Sequence, residues 1–357
     1  MTSMKFPAEF SAPNRRAVGL WLLTVALIIV CMVTLGGLTR LTGSGLSITQ
    51  WDPIMGAIPP LSDATWQEAF AKYRHIPQYI FENRGMSVAD FKSIYWWEWA
   101  HRFLGRFLGF VFLVPFVWFA WTGVIARKDW PRMLLLFALG GLQGFVGWWM
   151  VESGLETRVS VSQYRLAIHL GVAIILLGAI LWTALEYLRP LSPPPRGEIK
   201  APKALWVGGL LFLALVCIQM LLGALVAGLH GGLIYNTWPS MDGRVFPESP
   251  FYASPWWLNF FENPGLAQFD HRIGAYVVAA SAVALWWWGR RAKLTGYAKR
   301  SGSAVLHVTA LQIVLGIATL LFQAPLALAA LHQFVAALLF GTAVWHAFEL
   351  RQAAANP

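Results

Sequence analysis

Eight stretches of the chain are almost entirely apolar, and each is about 20 residues long or longer, the length that a helix needs to cross a bilayer. In lipid the backbone must satisfy its own hydrogen bonds, so only helices or closed barrels can span it. Runs of this length favour helices over barrel strands. The pattern predicts an all-α integral membrane protein with spans near residues 17–38, 95–121, 130–151, 161–188, 203–229, 265–288, 302–322 and 326–349.

The composition agrees with a membrane protein. Of the 357 residues, 57% are hydrophobic and only 12% are charged, whereas soluble domains carry about 25% charged residues. The net charge of +10 could suggest a polyanionic partner. Because the basic residues lie in loops between the predicted spans, we expect no nucleic-acid partner and assign the charge to orientation in the membrane.

Lys and Arg are concentrated on one side of the predicted spans. They lie in residues 1–16, 122–132, 189–203 and 289–301, whereas the longer loops 39–94, 152–165 and 230–264 hold fewer. The positive-inside rule therefore predicts that both termini are cytoplasmic. The basic head is followed by a full-length span, so we expect no cleavable signal peptide. Cys31 and Cys217 fall inside spans, where we expect them to pack rather than form a disulfide.

The two halves of the chain resemble each other. The segment "GGLTRLTGSGLSITQW" (36–51) aligns without gaps on "GALVAGLHGGLIYNTW" (223–238), "AHRFLG" (100–105) resembles "DHRIG" (270–274), and "LQGFVG" (142–147) resembles "LQIVLG" (311–316). His169, Trp182 and Glu186 have the same spacing as His332, Trp345 and Glu349. Four matches in the same order indicate an internal repeat.

Each repeat holds an even number of spans, so both enter the membrane from the same side and are parallel repeats. A four-helix bundle is the simplest structure for each, and bundles build cofactor sites between facing helices. We expect a cytoplasmic tail (1–16), an N-terminal bundle (17–188), a proline-rich cytoplasmic linker (189–202), a C-terminal bundle (203–350) and a cytoplasmic tail (351–357).

Four of the eight histidines follow the repeat, and each lies near the outer end of a predicted span: His101, His169, His271 and His332. Two imidazoles that face each other across a bundle are a common way to hold haem iron. Zinc or copper would need further ligands, and no Cys or carboxylate recurs beside these histidines in both halves. The sequence therefore favours two bis-histidine haem sites near the outer face.

A haem between helices also needs an apolar slot. Small residues near the four histidines could open one, namely Gly105, Gly109, Gly171, Gly178 and Gly274. The remaining histidines have structural or solvated interpretations: His75 and His230 lie in outer loops, and His307 and His346 lie near the cytoplasmic ends of spans and do not repeat.

An arginine follows the histidine in both halves, at Arg102 and Arg272. A guanidinium pairs well with carboxylates, so a haem propionate is one expected partner, and the lipid head groups are the alternative. Arg106 does not repeat. It could contact the other half or the substrate.

The repeat breaks at Glu98, which aligns with Gln268. Glu98 precedes His101 by three residues and shares its helical face, so we expect its carboxyl group to point toward whatever His101 ligates. There it could move protons or stabilise a developing cation. The alternative is a salt bridge to Arg102. The asymmetry predicts chemistry in the first half and electron transfer or a structural role in the second.

With the paired histidines, "EWAHR" (98–102), "TGSGLSITQWDPIMGAIPPL" (42–61) and "AGLHGGLIYNTWPSMDG" (227–243), nearly the whole chain resembles the haem A synthase family. The resemblance implies eight spans in two pseudo-symmetric four-helix bundles, and oxidation of the C8 methyl of haem O to the formyl of haem A for cytochrome oxidase. It also implies that His271 and His332 ligate a resident haem b, that His101 and His169 flank the haem O site, and that Glu98 is the family's essential acid.

The chain lacks the outer-loop cysteine pair of one branch of that family, so it is similar to the class of proteobacteria and mitochondria. This similarity implies a bacterial inner membrane, with the haem sites toward the periplasm. Haem O synthase is an expected partner, because haem O has to be delivered; the electron partner and a homo-oligomeric state stay open. Two rival functions remain: a di-haem b-type electron carrier without substrate transformation, and a transporter, which the parallel repeat suggests.

Overall fold

The part of the chain that the structure describes is built from helices and loops. The structure is a computed structural model that describes residues 12–189 and 201–355. The helices are α1 (Ala12–Leu41), α2 (Asp63–Tyr73), α3 (Pro77–Phe81), α4 (Val88–Trp121), α5 (Trp130–Glu152), α6 (Gln163–Leu188), α7 (Lys203–Gly228), α8 (Asn259–Glu262), α9 (Pro264–Arg291), α10 (Gly296–Leu321) and α11 (Leu326–Ala355).

Seven helices of the described residues are long and apolar enough to cross a membrane: α1, α4, α5, α6, α7, α10 and α11. The remaining predicted span, 265–288, coincides with α9, which is 28 residues long but is not among the seven. Asp270, His271 and Arg272 near its start and three tryptophans (286–288) near its end reduce its mean hydropathy. The structure therefore confirms an all-helical protein with seven candidate spans.

Helix boundaries differ most from the predictions at α4, which begins at Val88 rather than near residue 95. Ser87 and Asp90 form a capping box, in which each side chain accepts a hydrogen bond from the other residue's backbone N–H. The predicted tail 1–16 and linker 189–202 lie mostly outside the described residues. The predicted C-terminal tail is largely helical, because α11 continues to Ala355.

Packing contacts connect the long helices into two closed rings. In the first half the contacts run from α1 to α4, α5, α6 and back to α1, and in the second half from α7 to α9, α10, α11 and back to α7. Helices α4 and α6 are therefore diagonal across the first ring, and α9 and α11 are diagonal across the second. The four repeated histidines lie on these diagonal helices.

The two rings contact each other through α1, α6, α7 and α11. Among the bonds that cross between the halves, Gln333 on α11 donates its Nε2 hydrogen to the Val33 carbonyl on α1 at 2.8 Å. A Cβ atom at Gly37 would lie 1.6 Å from the Gln333 Oε1 atom, so only glycine admits this side chain. The buried apolar core runs through both rings without interruption.

The loop between α1 and α4 contains its own small apolar core. Aromatic residues of α2 and the first turns of α4 pack against Leu46, and they include Trp66, Phe70, Tyr73, Phe91 and Tyr95. Gln78 on α3 donates to the Gly43 carbonyl at 3.0 Å, which attaches the "TGSG" turn to this core. This packing fixes the segment that follows the turn, residues 47–53, against α4.

Candidate functional site

The four repeated histidines form two facing pairs. In the second half, the ring centroids of His271 and His332 are 6.5 Å apart, with an interplanar angle of 83°. In the first half, His101 and His169 lie on α4 and α6, the diagonal helices of the first ring. The structure thus brings together the residues that the repeat predicted as pairs.

The second pair has the separation that two axial ligands need. An imidazole nitrogen binds a metal at about 2.0–2.1 Å, and a ring centroid lies about 1 Å behind that nitrogen, so two imidazoles on one metal ion have centroids about 6 Å apart. The observed 6.5 Å fits. Among the described residues, no group of three or more His, Cys, Asp or Glu could hold a metal ion. A haem supplies four ligands of its own and needs only such a pair.

Each histidine ring of the two pairs packs against a glycine on a neighbouring helix. A Cβ atom at any of these glycines would lie 2.9–3.1 Å from the imidazole Cε1 atom. The contacts are His101 with Gly36, His169 with Gly147, His271 with Gly223 and His332 with Gly316. Because the four contacts obey the repeat, the glycines fix where each ring can lie.

Glutamine amides orient three of the four rings. Gln143 Nε2 lies 3.1 Å from His169 Nδ1 and Gln312 Nε2 lies 3.2 Å from His332 Nδ1, and these two glutamines are repeat equivalents. A hydrogen bond to the second ring nitrogen fixes the tautomer and orientation of a ligating imidazole. The same two amide nitrogens also lie 3.4 Å from the Nε2 atoms of His169 and His332, and Nδ1 is the nearer ring nitrogen in both.

His271 also has a glutamine partner for its ring nitrogen, whereas His101 has none. Gln219 on α7 lies 3.0 Å from His271 Nδ1 and also donates to the His271 carbonyl at 2.8 Å. The repeat places Met32 at the equivalent position of α1. His101 Nδ1 is consequently enclosed and makes no hydrogen bond within the described structure. The first half therefore holds the less constrained histidine.

Glu98 is buried and is bound on both carboxylate oxygens. Its Oε2 atom accepts hydrogen bonds from the Ser47 hydroxyl at 2.7 Å and the Ile48 N–H at 2.8 Å. Its Oε1 atom accepts from Arg102 Nη2 at 2.6 Å and Nε at 3.0 Å. That the carboxyl group serves the ligand of His101 stays a prediction. The carboxylate is turned to the 47–53 segment and forms the salt bridge that was the alternative.

The second half repeats this arrangement with an amide. Gln268 Oε1 accepts from Arg272 Nη2 at 2.9 Å, and its Nε2 donates to the carbonyls of Gly231 and Ile234 at 2.8 and 2.5 Å. Glu98 accepts from its loop, whereas Gln268 donates to its loop. The difference between Glu and Gln therefore matches the direction of the hydrogen bonds that each loop offers.

The arginines of both halves bond to backbone carbonyls of their loops. Arg102 donates to Ile48 at 2.8 Å and Arg272 donates to Tyr235 at 2.7 Å, and these two carbonyls are equivalent in the repeat. Arg106 donates to the carbonyls of Asp52 and Pro53. Arg106 therefore contacts its own outer loop rather than the other half. Propionate binding by Arg102 or Arg272 stays a prediction.

The glycines predicted to open a slot have different neighbours. Gly171 and Gly178 face Leu221 and Phe340 in the other half, at 3.6 and 3.1 Å from a built Cβ. Gly105 faces Met32, and Gly274 is filled by Gln219, whose Oε1 atom lies 2.1 Å from a built Cβ. Of the five, only Gly109 borders open space. The expectation fails for Gly171 and Gly178, because they lie at the contact between the rings.

The other histidines take no part in the two pairs. His346 is buried on α11 with its Nδ1 atom 2.9 Å from the Ser301 hydroxyl. His307 is bonded through Nδ1 to the Ser303 carbonyl of its own helix at 2.7 Å. His75 and His230 lie in loops outside the long helices. These positions agree with the structural or solvated interpretations.

A cavity of about 160 Å³ lies between the 47–53 segment, α2 and α4, next to the residues that bind Glu98. Ser47, Gln50 and Lys72 are among its lining residues. The Lys72 ammonium donates to Gln50 and to Glu68, and this hydrogen bond and charge lower the pKa of the Glu68 carboxyl group. Ser47 thus touches the cavity on one side and Glu98 on the other.

Sequence reasoning missed the glycines and glutamines that hold the histidines. The signal was present in the repeat, since Gly36 aligns with Gly223 and Gln143 with Gln312. These residues looked like ordinary small or polar positions in apolar helices. Only the ring geometry shows that they contact the imidazoles.

Comparisons with known proteins show the family of the chain. A family model described as cytochrome oxidase assembly protein matches residues 19–344. The chain is 49% identical over 343 residues to heme A synthase of Parvibaculum lavamentivorans, covering 96% of each protein. It is 49% identical over 340 residues to heme A synthase of Rhizobium rhizogenes, covering 94% of this chain and 90% of that protein. The resemblance predicted from the sequence is confirmed, and the chain belongs to the cytochrome oxidase assembly protein family.

Proposed function

We propose that this protein is a haem A synthase that oxidises the C8 methyl group of haem O to the formyl group of haem A. The similarity to heme A synthases along nearly the whole chain carries the proposal. The reaction converts a methyl group and one water into a formyl group, and it releases four protons and four electrons. An alcohol and then a hydrated aldehyde, which loses water, are the successive products, and an external redox partner takes the electrons.

We assign the resident haem b to the second half, between His271 and His332. The ring separation of 6.5 Å and the amides of Gln219 and Gln312 support this assignment. A bound haem b would supply electron transfer between the reaction and the redox partner. Arg272 holds the outer loop above this site through the Tyr235 carbonyl, and we keep it as a candidate partner for a propionate.

We assign haem O to the first half, between His101 and His169. The enclosed, unpaired Nδ1 atom of His101 supports a site that exchanges its occupant, because the ring is less firmly held than its counterpart His271. Glu98 is the proposed acid–base group. Its hydrogen bond to Ser47, which also lines the outer cavity, offers a path by which reaction protons reach the outer surface.

We further propose that α9 is an eighth span and that the two contact rings are four-helix bundles, residues 17–188 and 203–350, joined by the 189–202 linker. The rings of packing contacts support this arrangement. The protein would lie in a bacterial inner membrane with both termini cytoplasmic and both haem sites toward the periplasm, as the distribution of basic loops suggests. Haem O synthase is the expected donor of the substrate.

The test is expression in a host that makes haem O but no haem A, followed by extraction and mass identification of the haems. We expect haem A from the wild-type chain. We expect Glu98→Ala to keep haem b and to accumulate haem O or its alcohol. Normal haem A production by Glu98→Ala would overturn the role of Glu98.

The di-haem electron carrier remains the second candidate, and one observation favours it. Glu98 and Gln268 hold their loops in the same way, with Arg102 and Arg272 as equivalent partners, which is what two purely structural positions would do. The extraction experiment separates the two functions. Haem O and haem b without any formyl-bearing product would identify a carrier.

A further inference from the structure

The two halves differ in how closely α5 packs against α4 in the first ring and α10 packs against α9 in the second. Helices α9 and α10 make an extensive contact, whereas α4 and α5 touch at few positions. Helices α4 and α5 are also the least buried of the seven candidate spans. The first ring is therefore loosely closed on this one side, next to the His101 and His169 pair.

Two aromatic contacts mark the ends of the gap between α4 and α5. Toward the cytoplasmic end, Phe112 of α4 stacks on Phe137 of α5 with ring centroids 6.0 Å apart. Toward the outer end, Trp51 of the outer loop lies 5.9 Å from Trp148 of α5. Phe137 and Trp148 are separated along α5 by about 16 Å, at 1.5 Å per residue. We call the region between these two contacts the α4–α5 window.

Glycines line the window on both helices. A Cβ atom built at Gly109, Gly140, Gly141 or Gly144 would meet nothing within 4 Å. On α5, residues 137, 140, 144 and 148 are three or four apart, so these glycines share the face of the two aromatic residues that mark its ends. The open space therefore lies on the face of α5 whose Phe137 meets α4.

The second half fills the equivalent positions with larger side chains. The repeat that aligns Gly147 with Gly316 places Thr309, Ala310 and Ile313 where α5 has Gly140, Gly141 and Gly144. Thr309 is buried. The glycines are thus a property of the first half alone, the half to which we assign a substrate that must enter and leave.

The window leads to the two histidines of the first half. His169 packs on Gly147, one turn beyond Gly144 on α5. On α4, His101 and Gly109 are eight residues apart and therefore lie on one face. The enclosed Nδ1 atom of His101 has no partner among the described residues. The window thus lies between α4, which carries His101, and α5, whose Gly147 packs on His169.

We propose that haem O enters and haem A leaves sideways from the membrane through the α4–α5 window. The occupant would be a flat macrocycle with an apolar isoprenoid tail, which partitions into lipid and needs no aqueous route. Glycine faces let the macrocycle pass edge-on between the helices, and the tail stays in the hydrocarbon. This inference rests on the proposed function, because it takes the first half as the haem O site.

The test adds bulk to the window in steps. The variants are Gly144→Ala and Gly144→Ile, the latter reproducing Ile313 of the second half, and Ala138→Ile is the matched control at an exposed position on another face of α5. Each purified protein, with its haem b, is placed in lipid nanodiscs and mixed with haem O. The rate of uptake is followed by the change in Soret absorbance, and haem b content is measured separately.

We expect Gly144→Ile to slow haem O uptake at least tenfold, with haem b content unchanged, and Gly144→Ala and Ala138→Ile to behave as the wild type. An unchanged uptake rate in Gly144→Ile would overturn the proposal. If that variant loses haem b and is therefore misfolded, Gly144→Cys in a chain with Cys31→Ala and Cys217→Ala replaces it, modified after folding with a bulky lipid-soluble maleimide. Unimpaired uptake by the modified protein then overturns the proposal.

The measurement separates the window from the proposed function. Slow uptake in Gly144→Ile by a protein that never forms haem A would support the window and refute the synthase. A wild-type protein that takes up no haem O at all would refute both. Uptake that is equally slow in Gly144→Ile and Ala138→Ile would show a general effect of bulk on α5, and it would also overturn the proposal.

Discussion

Removing the carboxylate of Glu98 should release the outer loop from α4. The side chain binds the Ser47 hydroxyl, the Ile48 N–H and Arg102, with distances between 2.6 and 3.0 Å. In Glu98→Ala these donors lose their shared acceptor. The positive charge of Arg102 stays in place, with its side chain only 17% exposed.

The size of the effect follows from the burial of the pair. Breaking a buried ion pair by removing one partner costs about 3–5 kcal/mol. Arg102 keeps its bonds to the carbonyls of Ile48 and Gln50, so the lower end applies, about 3 kcal/mol. In Glu98→Gln the amide can still accept from Arg102, as Gln268 does from Arg272, but its NH₂ faces the Ile48 N–H. An unsatisfied donor costs about 1–3 kcal/mol.

Hydrogen exchange of the segment 47–50, read by mass spectrometry, measures this opening. Each 1.4 kcal/mol changes an equilibrium constant tenfold. The amides of residues 47–50 should therefore exchange roughly 100-fold faster in Glu98→Ala than in the wild type, and at an intermediate rate in Glu98→Gln. Gln268→Ala is the matched control, because it should loosen residues 231–235 and leave 47–50 protected. Equal protection of residues 47–50 in the wild type and Glu98→Ala would refute the argument that this carboxylate holds the loop.

Two further predictions concern the histidines of the second half. Gln219→Leu removes the partner of His271 Nδ1 and should weaken haem b retention about 10–100-fold, as loss of an orienting partner does. The rate of haem dissociation measures this effect, and retention equal to the wild type would contradict the prediction. Gly316→Val adds a branched side chain where a Cβ alone would lie 3.0 Å from the His332 ring, so the protein should still fold but lose haem b. The ratio of Soret to protein absorbance measures the haem content, and a normal ratio would show that the ring can move aside.

The repeat made much of the site predictable from the sequence. The ligand pairs His101–His169 and His271–His332 could be predicted because the position of a residue on a helix and its place in the repeat both follow from local residue order. The matching bonds from Trp182 to Glu186 at 3.1 Å and from Trp345 to Glu349 at 3.0 Å show the same register at the other end of the helices. These features depend on spacing, which a sequence states directly.

The direction of the Glu98 side chain could not be predicted in the same way. Residues three apart on a helix share a face, but Glu98 turns to Ser47 and Ile48 in a loop about 50 residues earlier in the chain. Loop conformation is set by tertiary contacts such as the packing of Leu46 in the aromatic core. Helical periodicity contains no information about those contacts.

The gap between α4 and α5 was unpredictable for a similar reason. The sequence shows glycines at 140, 141 and 144, and a glycine stripe can either let two helices approach closely or leave open space between them. Gly178, which packs against Phe340, illustrates the first outcome and Gly144 the second. The tilt of each helix decides between them, and tilt depends on the whole ring.

The most direct test of the division between the two halves is the identity of the haem that remains in two purified single variants, His101→Ala and His271→Ala. We predict that His271→Ala loses haem b, whereas His101→Ala keeps haem b in full and forms no haem A. Mass identification of the extracted haems gives the answer. Loss of haem b from His101→Ala, with retention in His271→Ala, would contradict the account.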